Sequence, residues 1–273
     1  MALEYPEITH ITKQMQDLLT GHKIMDISLS DSCNNLIKWG FVNLHKKDVV
    51  GLNITDITSW GQHIYIKFEN DLNLVFGHMV GKLLYSNSLS AVPQKYKILF
   101  SLSDNSYFSY HTSLYGYACV LSAEEIINHK YVSKQGTEPL SRDFTYTYFD
   151  EMLQQNKKKP VKKIQSTYDY LAGYQNGYFQ DIFYESAILP TRKISSLSEE
   201  EKHILYDSII AITRSATENG GSTTEVDLFN KPGNYRRKIG NHLKNKPCPK
   251  CGTPVTMKNL LGSNSFYCQN CQH

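Results

Sequence analysis

The chain has 273 residues, of which 40% are hydrophobic, and a formal net charge of +3 at pH 7. This length and content fit a globular protein with one large domain or two of ordinary size. No run of eighteen apolar residues and no signal-peptide pattern occurs, so we expect no membrane span, no cleaved signal and a cytoplasmic location.

The first predicted element is a helix in the stretch YPEITHITKQMQDLLTGHKI. Its apolar residues recur at helical spacing and lie on one face: Ile8, Ile11, Met15, Leu18 and Leu19. Pro6 suits the first turn of this helix, and Gly21 suits the position just beyond its end. We expect the apolar face to pack on a sheet.

Residues 24 to 121 change to short runs of alternating polarity, which predict β-strands. The runs are KIMDISL, HIYIKFEN, LNLVF, KILFSLS, YFSYH and YACVL. Asn70-Asp71 and Asp104-Asn105 lie between neighbouring runs and predict hairpin turns. This half of the chain is therefore expected to form an antiparallel sandwich or barrel.

Residues 122 to 148 show no strong periodicity and contain KQGTEPLSRDF, which predicts a linker. The pattern beyond it is helical. We expect one helix to begin at Ser141, another to follow the lysine-rich stretch NKKKPVKKIQ, and a third, FQDIFYESAIL, to end at Pro190. Ser198 and Glu201 form a capping box that predicts a further helix.

Positive charge is concentrated near the end of the chain. Residues 228 to 273 contain eight lysines and arginines and no acidic residue, whereas the rest of the chain has 21 basic and 26 acidic residues. A segment with charge of one sign favours a polyanionic partner such as nucleic acid over a merely solvated face. Its densest cluster is Arg236, Arg237 and Lys238, which we predict to contact DNA.

Residues 247 to 273 contain two C-x-x-C pairs that predict a tetrahedral Zn²⁺ site. The predicted ligands are Cys248, Cys251, Cys268 and Cys271. Four thiolates leave no open position, so this zinc stabilises structure; a redox dithiol or disulfides are the alternatives. Two short strands should flank a turn at Gly262 to Asn264. The remaining cysteines, Cys33 and Cys119, are expected to be small buried side chains rather than a disulfide.

These pieces, in chain order, resemble the Fpg/Nei family of DNA glycosylases. The resemblance is carried by the Pro6-Glu7 helix entry, GTEPLSRDF, CPKCGTPV and SFYCQNCQ, and it covers essentially the whole chain. It implies an α+β fold with an N-terminal antiparallel β-sandwich and leading helix (1–130), a linker (131–145), a helix-two-turn-helix DNA-binding domain (146–245) and a zinc-binding hairpin (246–273). It also implies excision of damaged bases through an imine on the N-terminal amine, followed by strand cleavage.

The start of the chain departs from the family pattern. The family begins Met-Pro-Glu-Leu-Pro-Glu, and the proline amine, freed of methionine, is the nucleophile, with the next glutamate as acid or base. This chain begins MALEYPE, so alignment on the second proline places Glu4 on the catalytic glutamate and Leu3 on the proline. The family lysine of the GKYL turn, which touches phosphates and supports the chemistry, falls on Gln62.

Other DNA-binding positions of the family are also altered. The phosphate-binding arginine at the tip of the zinc hairpin falls on Ser263, the asparagine of GNIYA on Asp181, and the histidine of HLGM on Phe76. Each change removes a donor or a cation from a phosphate, and Asp181 should add a repelling charge.

The side chains that fill the space of a flipped base are partly retained. Met79 in HMVG matches the family's wedge methionine, and Tyr115 in SLYG stands where phenylalanine is usual, with Ser113 in place of the accompanying arginine. Packing between strands is the alternative interpretation of Met79 and Tyr115.

Three functions remain open. The favoured one is a monomeric, nucleoid-associated protein that binds damaged or abasic double-stranded DNA and has lost or weakened base excision. The second is an active glycosylase and AP lyase that uses the primary amine exposed at Ala2 when Met1 is removed. The third is an interaction module without DNA, which the cationic segment argues against. Replacements at Leu3 and Gln62 leave open whether the chain is an enzyme.

Overall fold

The structure, a computed structural model, describes residues 2–44, 49–112, 116–130 and 132–273. Within these ranges, no helix combines the length and the apolar character that a membrane crossing needs. The helices are α1 (Tyr5–Leu19), α2 (Asn34–Lys38), α3 (Ala123–Asn128), α4 (Tyr146–Gln155), α5 (Asn176–Glu185) and α6 (Glu199–Glu218). The strands are β1 (Ile24–Leu29), β2 (Val42–Asn43), β3 (Ile54–Trp60), β4 (His63–Phe68), β5 (Asn73–Gly77), β6 (Gly81–Ser86), β7 (Ile98–Leu102), β8 (Tyr107–Thr112), β9 (Tyr117–Leu121), β10 (Thr256–Leu260) and β11 (Ser263–Tyr267).

The chain forms two compact units. The first comprises residues 1–134 and 220–234, and the second comprises residues 135–219 and 235–273. Residues 220–234, which the predicted boundaries assign to the helical domain, therefore belong to the first unit. The zinc hairpin belongs to the second unit rather than forming a unit of its own. The four-part division of the chain stays a prediction.

The first unit contains the predicted β-sandwich. One sheet has the order β1-β7-β8-β6, and the other has the order β2-β9-β5-β4-β3. Alternate side chains point into a shared core, where the Phe100 and Phe108 rings stack with centroids 4.2 Å apart. Asp71 and Asn105 adopt positive φ angles between β4 and β5 and between β7 and β8, which confirms both predicted hairpin turns.

Helix α1 covers this sandwich with the face that the sequence predicted. Ile8, Ile11, Met15 and Leu19 are buried, and Leu18 is half-buried against the same core. Because the apolar residues recur about every turn, they form one continuous stripe against the sheet. Cys33 and Cys119 are buried without a disulfide, as predicted.

Several elements differ from the sequence prediction. Strand β3 was not predicted because it buries only Ile54 and Ile57 and otherwise faces solvent. Helix α3 lies in the stretch 122–148, where the sequence shows no strong periodicity, before the predicted linker 131–145, and it buries none of its residues. The helix expected at Ser141 begins at Tyr146, where the Thr145 hydroxyl accepts the Tyr148 N–H (3.2 Å). Helix α5, expected to end at Pro190, ends five residues earlier, at Glu185.

The second unit is helical and carries the zinc hairpin. Helices α5 and α6 pack together around buried side chains that include Tyr178, Phe179, Leu205 and Ile209. Helix α6 begins with the predicted capping box: the Ser198 hydroxyl accepts the Glu201 N–H (3.1 Å), and the Glu201 carboxylate accepts the Ser198 N–H (2.8 Å).

Replacing Ser198 with Ala should lower the unfolding free energy of the second unit by about 1 kcal/mol, because an N-terminal amide of α6 loses its acceptor. Ser195→Ala, at an exposed serine three residues earlier, is the matched control and should have a smaller effect. Chemical denaturation of both variants measures the difference. Equal stabilities would show that the capping box contributes little to this helix.

Candidate functional site

The four predicted zinc ligands converge at one end of the second unit. The sulfurs of Cys248, Cys251, Cys268 and Cys271 all lie within 4.8 Å of one another. The Cys248 and Cys271 sulfurs are 3.9 Å apart, and those of Cys251 and Cys268 are 3.4 Å apart. A zinc tetrahedron with bonds of about 2.3 Å has sulfur–sulfur edges of about 3.8 Å. The set therefore fits a structural Zn²⁺, with Cys as every ligand.

Neighbouring groups hold these cysteines in place. The Tyr184 hydroxyl lies 3.1 Å from the Cys248 sulfur, where it can donate to a thiolate. Gln272 accepts the Cys268 N–H at Oε1 (2.9 Å) and donates from Nε2 to the Ile188 carbonyl (3.0 Å). The side chain of Gln272 thus ties a zinc knuckle to the helical part of the unit.

The zinc hairpin has a tighter turn than predicted. Leu260 pairs with Ser263 in the β10-β11 register, so the turn consists of Leu261 and Gly262, both with positive φ. Two such residues form the turn type that suits a two-residue hairpin. Asn264, expected in the turn, is instead part of β11. The Leu261 side chain is exposed at the tip of the hairpin.

A buried lysine fixes the tip of this hairpin. The Lys162 ammonium donates to the Leu260 carbonyl, the Ser263 carbonyl and the Ser263 hydroxyl oxygen, each at 2.8 Å. The residue is 0% exposed. Burial lowers the pKa of Lys162 to about 8, so the ammonium is still the main form at neutral pH. In the sequence this lysine is one of a lysine-rich run, and nothing in that pattern indicates its role.

Ser263, predicted to replace a phosphate-binding arginine, therefore has a cation close by, the ammonium of Lys162. Its hydroxyl also lies 3.4 Å from Asn176 Oδ1, and Asn176 Nδ2 donates to the Asn264 carbonyl (2.8 Å). Asn176 is the first residue of α5 and is half-buried. Lys162, Asn176 and Ser263 form a polar cluster at the hairpin tip.

Asp181 does not present a charge to a partner. It is completely buried and accepts hydrogen bonds from the Tyr235 hydroxyl (2.9 Å), the Lys238 N–H (3.0 Å) and the Ile239 N–H (2.9 Å). Burial raises the pKa of Asp181, and these three bonds together with the Arg237 charge oppose that rise. The prediction that Asp181 repels a phosphate is therefore wrong.

The segment QNGY offers a better match to the family's GNIYA than the stretch around Asp181. Asn176 and Tyr178 reproduce the spacing of its asparagine and tyrosine. The expected asparagine is thus present five residues earlier, and the sequence contained the signal that could have located it.

The basic cluster around residue 236 is heterogeneous. Arg236 is exposed, whereas the Arg237 guanidinium carbon lies 3.7 Å from the centroid of the Tyr178 ring. The Lys238 ammonium contacts Glu185 at 2.5 Å, and Lys250 contacts the same carboxylate at 2.9 Å. Two of the eight cations in the terminal segment therefore already have an acidic partner.

The start of the chain is packed into the first unit. The Leu3 N–H donates to the Met79 carbonyl (2.9 Å), and the Leu3 side chain, 1% exposed, belongs to the sandwich core. Glu4 is also 1% exposed and precedes α1, with its N–H donating to Glu7 Oε2 (3.1 Å). Ala2 is 7% exposed.

Glu7 joins this start to the returning segment 220–234. Its Oε1 accepts the Ser222 N–H at 2.8 Å. Gly221 has a φ of +90°, and a Cβ there would lie 2.8 Å from Glu7 Cγ, so glycine is required at this position. The buried carboxylate thus organises both α1 and the loop that returns to the sandwich.

Gln62, Phe76 and Met79 are interior residues. Gln62 is buried, and its Nε2 donates to the Leu3 carbonyl (3.0 Å), so its amide supports the start of the chain. Phe76 and Met79 are completely buried in the sandwich core. Neither Gln62 nor Met79 reaches the surface, and Met79 packs in the core as the alternative interpretation expects. The DNA-binding roles of Gln62 and Met79 stay predictions. Tyr115 and Ser113 lie outside the described residues.

Three family models match the chain in order. The formamidopyrimidine-DNA glycosylase N-terminal domain matches residues 3–113, the formamidopyrimidine-DNA glycosylase H2TH domain matches residues 135–227, and a zinc finger found in FPG and IleRS matches residues 245–273. The chain belongs to the Fpg/Nei family. All three parts of this Fpg/Nei architecture, including the zinc hairpin, are thus present in the expected order.

Full-length relatives agree with this membership. Formamidopyrimidine-DNA glycosylase from Geobacillus kaustophilus is 26% identical, over 98% of this chain and 99% of the relative. The Bacillus cereus protein of the same name is 24% identical, over 98% of each. The fold is similar to that of Thermus thermophilus MutM (Fpg), with a TM-score of 0.85, 21% identity and 98% of each chain covered.

A second structural neighbour is Lactococcus lactis Fpg in complex with DNA that contains an abasic site. Its TM-score is 0.84 at 22% identity, with 98% of this chain and 99% of that chain covered. At this identity the likeness establishes the Fpg/Nei fold of the chain alone.

Replacing Cys251 with Ser should reduce bound zinc well below one per chain and unfold the hairpin, because a segment of this size depends on the metal for its folding free energy. Zinc content by mass spectrometry and hydrogen exchange in β10 and β11 measure both effects. Cys119→Ser, in the sandwich, should keep the full zinc content. Full zinc content in Cys251→Ser would contradict a four-cysteine site.

Replacing Lys162 with Met should expose the hairpin tip and destabilise the second unit by about 2–4 kcal/mol, because three oxygen acceptors lose a charged donor. Hydrogen exchange in β10 and β11 and chemical denaturation measure the change. Lys163→Met is the matched control, since Lys163 contacts only the local Ser166 hydroxyl (3.1 Å) among its described partners. An equal effect of the two substitutions would show that the buried lysine does not anchor the hairpin.

Proposed function

We propose that this Fpg/Nei protein binds damaged or abasic double-stranded DNA and that its base-excision activity is weak or absent. The observation that carries the proposal is the state of the Leu3 nitrogen. It is a peptide nitrogen that donates to the Met79 carbonyl, at the position where the family pattern has a free proline amine. Because its lone pair is delocalised into the peptide bond, this nitrogen cannot form an imine with a sugar.

The Leu3 side chain supports the same conclusion. It replaces the proline ring with an aliphatic group that is packed in the sandwich core. Glu4, aligned with the acid or base of the family, is buried at the start of α1. A carboxylate in this position contributes to the helix start and is shielded from a substrate in solution.

DNA binding is supported by the second unit. The zinc hairpin carries the polar cluster of Lys162, Asn176 and Ser263 at its tip, where Asn176 and Ser263 are half-buried rather than fully enclosed. The exposed lysines Lys244 and Lys246 precede the first zinc knuckle. The Lactococcus lactis neighbour was solved with abasic-site DNA, which makes that ligand the first to test.

Binding should depend on salt through the cations of the terminal segment. Electrophoretic shifts with intact, mismatched, oxidised and abasic duplexes across salt concentrations should show preference for an altered duplex. Lys244→Ala/Lys246→Ala should reduce the slope of log affinity against log salt by about two units, because each phosphate contact contributes about 0.9. Lys13→Ala/Lys38→Ala removes the same charge from exposed sites of the first unit and should leave the slope unchanged. No binding to any duplex would contradict the proposal.

The loss of excision is tested separately. Nicking of abasic and oxidised duplexes should not exceed that of a Glu4→Gln variant, and borohydride should trap little covalent adduct. Robust release of a damaged base by the wild-type chain would overturn this half of the proposal.

An active enzyme with a displaced amine is the second candidate. Ala2 is 7% exposed beside Leu3, so an amine freed there by removal of Met1 would lie within the first unit rather than in solvent. An α-amino group with the ordinary pKa of about 8 is partly unprotonated near neutral pH. A borohydride adduct mapped to Ala2 by mass spectrometry would favour this candidate.

A further inference from the structure

Three imidazoles and one phenol gather on the face of the five-stranded sheet that points away from the sandwich core. The His63 ring centroid lies 5.2 Å from that of His78 and 5.5 Å from that of Tyr117, and Tyr117 lies 5.7 Å from His129. We call His63, His78, His129 and Tyr117 the histidine cluster. His78 lies in HMVG beside Met79, and none of the four residues has a role in the family pattern described above.

The sheet is shaped to admit this cluster. His63 pairs with Gly77 of β5, and Gly77 pairs with Tyr117 of β9. A Cβ on Gly77 would lie 2.4 Å from His63 Cδ2 and 2.4 Å from Tyr117 Cζ, so both rings occupy the space of the missing side chain. His78 follows with a φ of +48°, a conformation that non-glycine residues seldom adopt.

His63 is held in its neutral form. It is 0% exposed, and neither ring nitrogen makes a well-formed hydrogen bond to a described residue. Burial lowers the pKa of His63 to about 3, and the neighbouring His78 and His129 add to this effect, while the backbone of Trp60 opposes it. A proton on His63 would create a buried charge that this single backbone group compensates only in part.

The groups around His63 offer little compensation for such a charge. Burial also lowers the pKa values of His78 and His129. Tyr65 of β4 and Tyr117 of β9 face the ring as phenols, and burial raises the pKa of Tyr117. The carboxylate of Glu125 on α3 opposes the lowering of the His129 pKa. The cluster is therefore uncharged at neutral pH and sensitive to acid.

The cluster is adjacent to both hydrogen bonds that hold the start of the chain. His63 directly follows Gln62, which donates to the Leu3 carbonyl, and His78 directly precedes Met79, which accepts the Leu3 N–H. A shift in the backbone at either histidine would move one of these two residues. The packing of the His63 and Tyr117 rings at Gly77 thus controls the two hydrogen bonds that hold Leu3.

We propose that His63 and His78 are positioning residues whose neutral rings fix Gln62 and Met79 against Leu3, and that mild acid releases the first residues of the chain. Leu3 is then mobile in the acid form and immobile in the neutral form. This property belongs to the free protein and requires neither DNA nor excision, so it can fail independently of the proposed function.

The direction of the pH effect follows from proton linkage. A released state in which His63 reaches solvent binds a proton below the ordinary histidine pKa of about 6.5, whereas the closed state does not. The closed state is therefore fully stable above that pH and loses stability as the pH falls. The opening equilibrium should rise about tenfold between about pH 7.5 and 5.5.

Hydrogen exchange of the zinc-loaded, full-length chain, analysed by mass spectrometry, tests the proposal. After correction for intrinsic rates, exchange in the first peptic peptide should rise about tenfold over this pH range. Peptides from β7 and β8 serve as an internal reference in the same unit and should keep their protection. Equal loss of protection in both regions would show global unfolding and overturn the proposal.

Variants identify the titrating group. His63→Phe keeps a ring that cannot be protonated, and its first peptide should respond to acid less than about twofold. His22→Gln, at a partly exposed histidine of the same unit, should retain the tenfold response. If His63→Phe does not fold, His63→Gln decides the question, because it also removes the imidazole that takes up the proton. An unchanged pH profile in either folded variant would overturn the proposal.

Discussion

Two hydrogen bonds hold the backbone of Leu3, one at its N–H and one at its carbonyl, and the arrangement of the first unit depends on them. The Leu3 N–H is bound by the Met79 carbonyl, and its own carbonyl is bound by Gln62. Helix α1 begins two residues later, and Glu7 connects its first turn to Ser222. The start of the chain therefore has a structural role. It carries a peptide nitrogen and an aliphatic side chain where the family pattern has a reactive amine.

The zinc hairpin of the second unit is stabilised differently, because it has almost no core of its own. Zinc holds the two knuckles together, and the Lys162 ammonium fixes the opposite end of the hairpin through three oxygen atoms. A metal at the base and a buried cation at the tip leave the hairpin little freedom. Rigid presentation of a polar tip is what recognition of a duplex backbone requires.

Local signals in the sequence predicted a large part of this molecule. The zinc ligands, the capping box at Ser198 and the turns at Asp71 and Asn105 each depend on residues a few positions apart, and all are confirmed. Helix α3 was missed because it has only six residues and none of them is buried, so it leaves no apolar periodicity in the sequence.

Side-chain roles were harder to predict because burial is set by distant parts of the chain. Asp181 was read as a surface charge, yet its partners lie more than fifty residues away at Tyr235, Lys238 and Ile239. The same holds for Lys162, whose acceptors follow about one hundred residues later. A family alignment names the positions that matter but does not show which way a replaced side chain points.

The path of the chain has a consequence for how the protein can be divided. Residues 135–219 form most of the helical unit. The chain then returns to the sandwich at residue 220 and leaves it again after residue 234. Leu228 from this return is 1% exposed in the sandwich core, and its carbonyl accepts the Tyr85 N–H. Neither unit is one continuous stretch, so a fragment cut at residue 134 would lack part of its own interior.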